Sequence, residues 1–278
     1  MKKRKKDFPD KHILYEAAVQ CVDSDLDFGR RVFRARFGRS PKRIREDFCG
    51  TARLACRWVE RHPSHEAWGV DIHAPTLRWG ERHHVARLSP SARARLHLLH
   101  ADVLEAETPP VDLVFALNFS FCVFRERAVL LRYFRRVREA LAEEGLLILD
   151  LYGGTESMVE KTDAPRHIEE FVTPDGERIP DFDYVWEQAR FNPIDHHTVC
   201  HIHFRVPGVG DMHRAFSYDW RLWTLPELRD LLAEAGFARA DVYLHDFDEN
   251  GDSDEIFRRR TEYENTDAWI AYVVGVKQ

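Results

Sequence analysis

Ile44-Arg45-Glu46-Asp47-Phe48-Cys49-Gly50-Thr51-Ala52-Arg53-Leu54-Ala55 joins a short strand-like run to a helical one through a tight Cys49-Gly50-Thr51 turn. Beyond the turn, Leu54, Ala55, Trp58 and Val59 recur at helical intervals. A strand, a glycine turn and a helix in that order can form a nucleotide loop, in which three glycines allow a sharp turn, close backbone approach to a ligand, and close packing of helix on strand. Only Gly50 is present here; Phe48 and Ala52 hold the other two places, so the stretch by itself also reads as an ordinary strand-to-helix turn.

The spacing downstream favours the ligand reading. Ala67-Trp68-Gly69-Val70-Asp71-Ile72 has the composition of a buried strand ending in an acid. In a βαβ unit, an acid at the tip of the second strand, roughly 20 residues past the glycine turn, sits where a ribose presents two hydroxyls, and one carboxylate can accept both hydrogen bonds. A third run over 96–103 (LHLLHADV) carries Asp102 near its end, and a fourth over 111–119 (VDLVFALNF) ends in a polar-aromatic step. Polar groups from successive strands are thereby delivered to one sheet edge.

This pattern resembles the class I, Rossmann-like methyltransferases that use S-adenosylmethionine (SAM), over nearly the whole chain. The resemblance implies a mostly parallel α/β sheet with an antiparallel C-terminal strand. It implies that Glu46 opens the first motif, that Cys49, Gly50 and Thr51 pass the methionine part of SAM, and that Asp71, with Ile72 beside it, holds the ribose. Asp102, with Val103, would meet the adenine through its amino group, and Asn118-Phe119-Ser120 would face the transferred methyl. Phe48 and Ala52 depart from the motif's glycines. The wording EDFCGTA is similar to that of a bacterial branch of these proteins.

Composition fits a globular enzyme. The chain has 278 residues, long enough for one large α/β domain with an insertion, and 44% hydrophobic residues. A run of 18 apolar residues is lacking and the basic start MKKRKKDFPDKH has no apolar segment behind it, so the expected setting is the cytoplasm, without a membrane. Five cysteines without paired CxxC spacing point to free thiols. At net charge −6, nucleic acid is a disfavoured partner, despite the basic stretches 1–6 and 30–45; the second reads as a solvated amphipathic helix ending near Gly38.

The pattern divides the chain into a helical cover over 1–40, a cofactor domain over 41–154 and 221–278, and an inserted antiparallel subdomain over 155–220. A helix is expected over 128–142, ended by Gly145 before a strand over 146–151. In the insertion, runs over 184–191, 197–206 and 212–221 alternate as strands, and the resemblance implies that such an insertion selects the acceptor and pairs subunits as a homodimer. Thr224, with Glu227 three residues on, caps a helix closing at Gly236, and runs over 240–245 and 268–276 complete the sheet as an antiparallel pair.

Substrate-facing candidates are Tyr152, after the fifth strand, and the aromatics Trp186, Tyr218 and Trp220; candidate bases are His201, His203 and Tyr218. Each also reads as an ordinary strand residue. His197, His201 and His203 share a strand face but lack a matching ligand set, and 246–251 imitates a calcium loop without the closing Glu, so no metal is expected. The resulting expectation is SAM-dependent methyl transfer to nitrogen or oxygen of a small molecule. The rivals are a non-catalytic SAM-binding protein, which the lost glycines favour, an RNA methyltransferase, and an NAD-dependent oxidoreductase, which the antiparallel ending disfavours.

Overall fold

The computed structural model describes residues 8–247 and 253–278; the 1–6 cluster and part of the 246–251 loop lie outside them. In chain order the elements are α1 (Lys11–Val19), α2 (Val22–Phe37), β1 (Arg43–Asp47), α3 (Arg53–Arg61), β2 (Glu66–Asp71), α4 (Ala74–His83), α5 (Pro90–Arg93), β3 (Leu96–His100), β4 (Val111–Ala116), α6 (Arg127–Ala140) and β5 (Leu141–Gly153). Four short strands follow, β6 (Lys161–Thr162), β7 (Arg166–Ile168), β8 (Phe171–Val172) and β9 (Arg178–Ile179), then the long β10 (Phe182–Phe191), β11 (His197–Val206) and β12 (Gly210–Arg221). The chain closes with α7 (Leu225–Glu234), β13 (Arg239–Leu244), β14 (Arg258–Arg260) and β15 (Trp269–Val276).

Two compact units result, 21–157 with 223–278, and 8–20 with 158–222. The expected helical cover is therefore split at Cys21. Its first helix, α1, buries Leu14 and Ala18 in a core with Ile202, Phe204 and Val206, whereas α2 buries Leu26, Phe28 and Phe33 with the residues of the large sheet. The break follows from Gln20, whose extended backbone ends α1.

The large unit is built on an eight-stranded sheet in the order β14-β13-β15-β5-β4-β1-β2-β3. Strands β1 to β5 run parallel, and β15 and β13 are antiparallel to their neighbours. The strand order reverses direction between β1 and β4, the switch point beyond whose carboxyl ends ligands bind in open α/β sheets. β4 is buried throughout, as a central strand covered on both faces must be.

Three sequence expectations are revised here. Gly145 does not end a helix: α6 stops at Ala140 and Gly145 lies within β5, because the chain passes from helix to strand at Leu141, already paired with Val111. The third and fourth strands stop at His100 and Ala116, before the polar residues, which belong to turns. The added edge strand β14 pairs with β13, outside the expected pair. The Thr224–Glu227 capping box and the left-handed Gly236 after α7 match the sequence reading, as does Gly38 after α2.

The smaller unit is an antiparallel meander of β10, β11 and β12, with β6 and β7 also pairing β10. Its alternation is that of a half-buried sheet: one face carries Phe182, Ile202 and Phe204 into the core with α1, and the other carries Glu187, His201 and Ser217 in register.

Candidate functional site

Turns at the carboxyl ends of β1, β2, β3 and β4 assemble the site in the large unit. The first is the 48–52 loop. Phe48 (φ 57°), Gly50 (φ 54°) and Ala52 (φ 57°) all adopt the left-handed conformation. These are the three places where the motif has glycine, so the backbone path persists although two side chains are present. A left-handed residue with a Cβ costs roughly 1–2 kcal/mol, and surrounding contacts hold the loop there. Cys49 N–H donates to Val70 O at 3.0 Å, Ala52 N–H to Cys49 O at 2.7 Å, and Gly50 N–H to Asp71 Oδ2 at 2.7 Å.

Phe48 turns its ring toward Phe124 and Tyr133, with ring centres 5.7 and 5.8 Å away. Cys49 is 2% exposed, and burial pushes its thiol well above the usual range, which makes it a space-filling residue. Thr51 is buried, and its carbonyl oxygen lies 2.1 Å from where a Cβ on Gly80 would stand. Only glycine at position 80 lets α4 approach the loop so closely. Sequence reading passed over Gly80, although a glycine inside an amphipathic helix is a signal of close approach.

Glu46 supplies what Ala52 cannot. Ala52 occupies the N-cap of α3 without a capping side chain, and Glu46 Oε2 accepts from Ala55 N–H at 2.9 Å. Burial raises its carboxyl to about 8, opposed by the Ala55 N–H and reinforced by Asp71, Asp25 and Asp47.

At the tip of β2, Asp71 accepts from Gly50 N–H and, through Oδ1, from His73 N–H at 2.7 Å. A carboxylate offers about four lone-pair sites, and these two bonds use two of them. Ile72 beside it is 68% exposed, an apolar side chain turned to solvent at the site edge. After β3, Asp102 Oδ1 accepts from Leu104 N–H at 2.9 Å, and Ala101 N–H reaches Asp71 O at 3.1 Å, which places the two acids on adjoining turns. Val103 is 4% exposed and packs inward.

Asn118 and Phe119 are likewise left-handed (φ 57° and 58°). Asp150 on the neighbouring β5 accepts from both N–H groups at 2.8 Å. Burial raises Asp150 to about 7, with these two N–H groups and Asp25 as the next influences in opposite senses. Ser120 Oγ donates back to Leu117 O at 2.7 Å, closing the turn, and Phe119 packs against Tyr152 with ring centres 4.9 Å apart. Asp25 on α2, raised to about 6 by burial, accepts from the Tyr272 hydroxyl. Asp150, Asp25 and the Arg45–Asp47 pair were not anticipated from the sequence: the partners of Asp150 and Asp25 lie far off in the chain, and the other bonds of the buried Arg45–Asp47 pair go to Val103, Ala106 and Tyr133.

The remaining candidates belong to the smaller unit. Trp186, Tyr218 and Trp220 cluster with ring centres 6.0, 6.2 and 4.2 Å apart. Burial, then Tyr15, pushes the Tyr218 phenol far upward, so it holds its proton. On the opposite face, His201 Nδ1 lies 2.8 Å from Ser217 Oγ, His203 Nε2 lies 2.8 Å from Glu187 Oε2, and His197 Nε2 lies 2.6 Å from Asp219 Oδ1. Burial lowers His201, which keeps its imidazole neutral. Among the described residues, no group of three or more His, Cys, Asp or Glu side chains is arranged for a metal ion, and no helix is long and apolar enough to cross a membrane.

Comparison with known proteins bears on the fold. No protein-family model and no curated protein matches the chain. Among solved structures, a SAM-dependent methyltransferase from Clostridium acetobutylicum shares 16% identity, with 95% of this chain and 96% of that chain covered and a TM-score of 0.63. The sugar N-methyltransferase KedS8 from a Streptoalloteichus species shares 19%, covering 99% and 95%, with a TM-score of 0.62. DesVI from Streptomyces venezuelae shares 14%, covering 95% of both chains, with a TM-score of 0.64. The chain has the fold of class I SAM-dependent methyltransferases.

Proposed function

We propose that this chain is a SAM-dependent methyltransferase acting on nitrogen or oxygen of a small molecule. The observation that carries the reading is the alternation of left-handed backbone at Phe48, Gly50 and Ala52, kept where two of the motif's glycines are gone. An ordinary turn would not retain two strained positions on either side of a left-handed glycine; a loop that must bring Gly50 N–H and its neighbours to a ligand has a reason to. The open space around Gly50, where an added Cβ would meet only Thr76 at 3.8 Å, fits a close backbone approach.

The residues present suit the cofactor. Asp71 would hold the ribose with its two remaining lone-pair sites, Ile72 would cover an adenine face, and Asp102 Oδ2 would accept from the adenine amino group. Glu46 and Asp150, raised by burial, would favour a cationic ligand, since a nearby positive charge restores their ionised form. Bound SAM supplies an electrophilic methyl on a sulfonium, so the protein's part is orientation and exclusion of water, with no covalent catalyst required. Tyr152 and Phe119 would border the acceptor.

We assign acceptor choice, and pairing of subunits, to the inserted strands. His201, neutral and beside Ser217, would be the proton acceptor where an amine or hydroxyl must lose one; Tyr218 is too reluctant a phenol for that role. The sugar N-methyltransferase and the amino pentose methyltransferase CalS10 from Micromonospora echinaspora, at 14% identity and a TM-score of 0.62, make amino sugars the first acceptors to try.

Calorimetric titration with SAM, S-adenosylhomocysteine and NAD, followed by transfer of labelled methyl from SAM to amino sugars and hydroxylated small molecules, tests the reading. Binding of SAM with label transfer is the expected result. Binding of NAD alone would replace the proposal with an oxidoreductase, and SAM binding without transfer to any acceptor would favour a regulatory protein.

A further inference from the structure

One buried network in the large unit lies beyond the residues assigned to the cofactor. Arg45 on β1 is 1% exposed. Its Nε donates to Asp47 Oδ1 at 2.6 Å, its Nη1 to Ala106 O at 3.1 Å and its Nη2 to Val103 O at 3.1 Å. Asp47 accepts a second hydrogen bond from the Tyr133 hydroxyl at 2.9 Å, and Tyr133 is itself the ring against which Phe48 packs. The two carbonyls that Arg45 holds bracket the turn that opens with Asp102, whose own carbonyl accepts from Glu105 and Ala106 N–H at 3.0 and 2.9 Å.

Mere cohesion does not require such a group. A buried ion pair contributes little more than well-packed apolar residues of the same volume, because both charges leave water. What a guanidinium adds is direction: its donors form a rigid fork, and here the fork fixes both ends of one turn while Asp47 fixes the fork. We propose that Arg45, oriented by Asp47 and Tyr133, is the positioning residue for the 102–106 turn, and that through it the site discriminates adenine from other purines. The inference rests on the reading of Asp102 as the acceptor of the adenine amino group. Since Oδ1 is engaged by Leu104 N–H, a displaced turn would turn Oδ2 away from that amino group while leaving contacts to ribose and methionine in place.

The test compares affinities for S-adenosylhomocysteine and S-inosylhomocysteine, in which the amino donor is replaced by a carbonyl. Wild-type protein is expected to prefer the adenosyl ligand by at least about tenfold, the size of one hydrogen bond to a charged group. In Arg45→Met the preference should shrink to within about threefold, and Arg45→Lys, which keeps the charge without the fork, should recover only part of it. Arg45→Met alone leaves Asp47 buried without its cation, so the paired variant Arg45→Met/Asp47→Leu, which removes both charges, supplies a folded protein for the same measurement. A purely structural role would lower the melting temperature without moving the ratio of the two affinities. A folded variant with the wild-type ratio therefore overturns the inference. Wild-type protein that binds neither ligand would instead overturn the cofactor reading beneath it, and equal wild-type affinity for both would remove Asp102 from the adenine.

Discussion

The 48–52 loop after β1 and the 117–120 turn after β4 solve one problem in two ways. Both force residues with a Cβ into left-handed backbone, and in both a carboxylate from the adjacent strand accepts the N–H groups so exposed, Asp71 for Gly50 and Asp150 for Asn118 and Phe119. They differ in what each acid has left to do. Asp150 is half-buried, its carboxyl is raised to about 7 by burial, and each of its oxygens accepts one N–H of the turn. Asp71 is half-buried too and uses each oxygen once, but only one of its bonds goes to the 48–52 loop, the other going to His73 N–H, and it stands next to exposed Ile72. A clamping acid is thus a structural device in one place and, in the proposed function, a ligand in the other.

The comparison predicts that the acid with both bonds on its turn matters most for folding. Asp150→Ala strips two charge-assisted hydrogen bonds from strained backbone and should destabilise the protein by roughly 2–4 kcal/mol, read from urea unfolding. A loss under about 0.5 kcal/mol would show that Asn118 and Phe119 hold their conformation unaided.

On the other loop, the balance between binding and folding should reverse from one residue to the next. Gly50→Val places a β-branched residue at φ 54°, which we expect to weaken SAM binding by roughly 2–3 kcal/mol while costing less in stability. Phe48→Ala, which empties the place beside Phe124 and Tyr133, should lower stability by roughly 1.5–3 kcal/mol with little effect on affinity. Melting temperatures and calorimetry on both variants decide this, and normal binding by Gly50→Val would reduce the loop to a simple turn.

Asp71→Ala should weaken SAM binding by roughly 1.5–3 kcal/mol. Because Asp71 also holds Gly50 N–H, a stability loss of about 1 kcal/mol should accompany it. Unchanged affinity in the folded variant would leave Asp71 as a clamp like Asp150.

Acidity separates the regions further. Glu46 at about 8, Asp150 at about 7 and Asp25 at about 6 all stand above their unfolded values. The folded state therefore binds protons more tightly than the unfolded chain, and the stability these groups contribute is complete below pH 4 and lost as pH rises through 6 to 8. Urea midpoints should fall between pH 5.5 and 8.5, and Glu46→Gln should flatten the upper part of that fall. A midpoint that rises across this interval would contradict the raised carboxyls.

The smallest effect tests strain directly. Ala52→Gly restores a motif glycine at φ 57° and should stabilise the protein by roughly 0.5–1 kcal/mol, the usual gain where an L-residue leaves the left-handed region. A destabilised variant would mean that the buried Ala52 methyl contributes more than its backbone costs.

Chain order and hydrophobic period carried much of the architecture into the sequence. Alternating strands and helices from Arg43 onward require a parallel sheet, the alternation over 197–206 marks an antiparallel strand whose span the structure reproduces, its burial pattern interrupted at the buried His201, and Thr224 with Glu227 announces a helix start through local hydrogen bonding alone. The positions of Glu46, Gly50, Asp71 and Asp102 were legible for the same reason, since one turn after one strand fixes where each must lie. Tertiary structure decided whatever depends on a neighbour distant in sequence. Nothing local tells that Phe48 and Ala52 keep a glycine's conformation, because the contacts that hold them come from Val70, Asp71 and Tyr133. Nor does anything local reveal that Asp150 clamps a turn 31 positions away or that Arg45 reaches Ala106 across 61. Strand pairing creates those proximities, and a buried polar group must find its partner wherever the sheet places one.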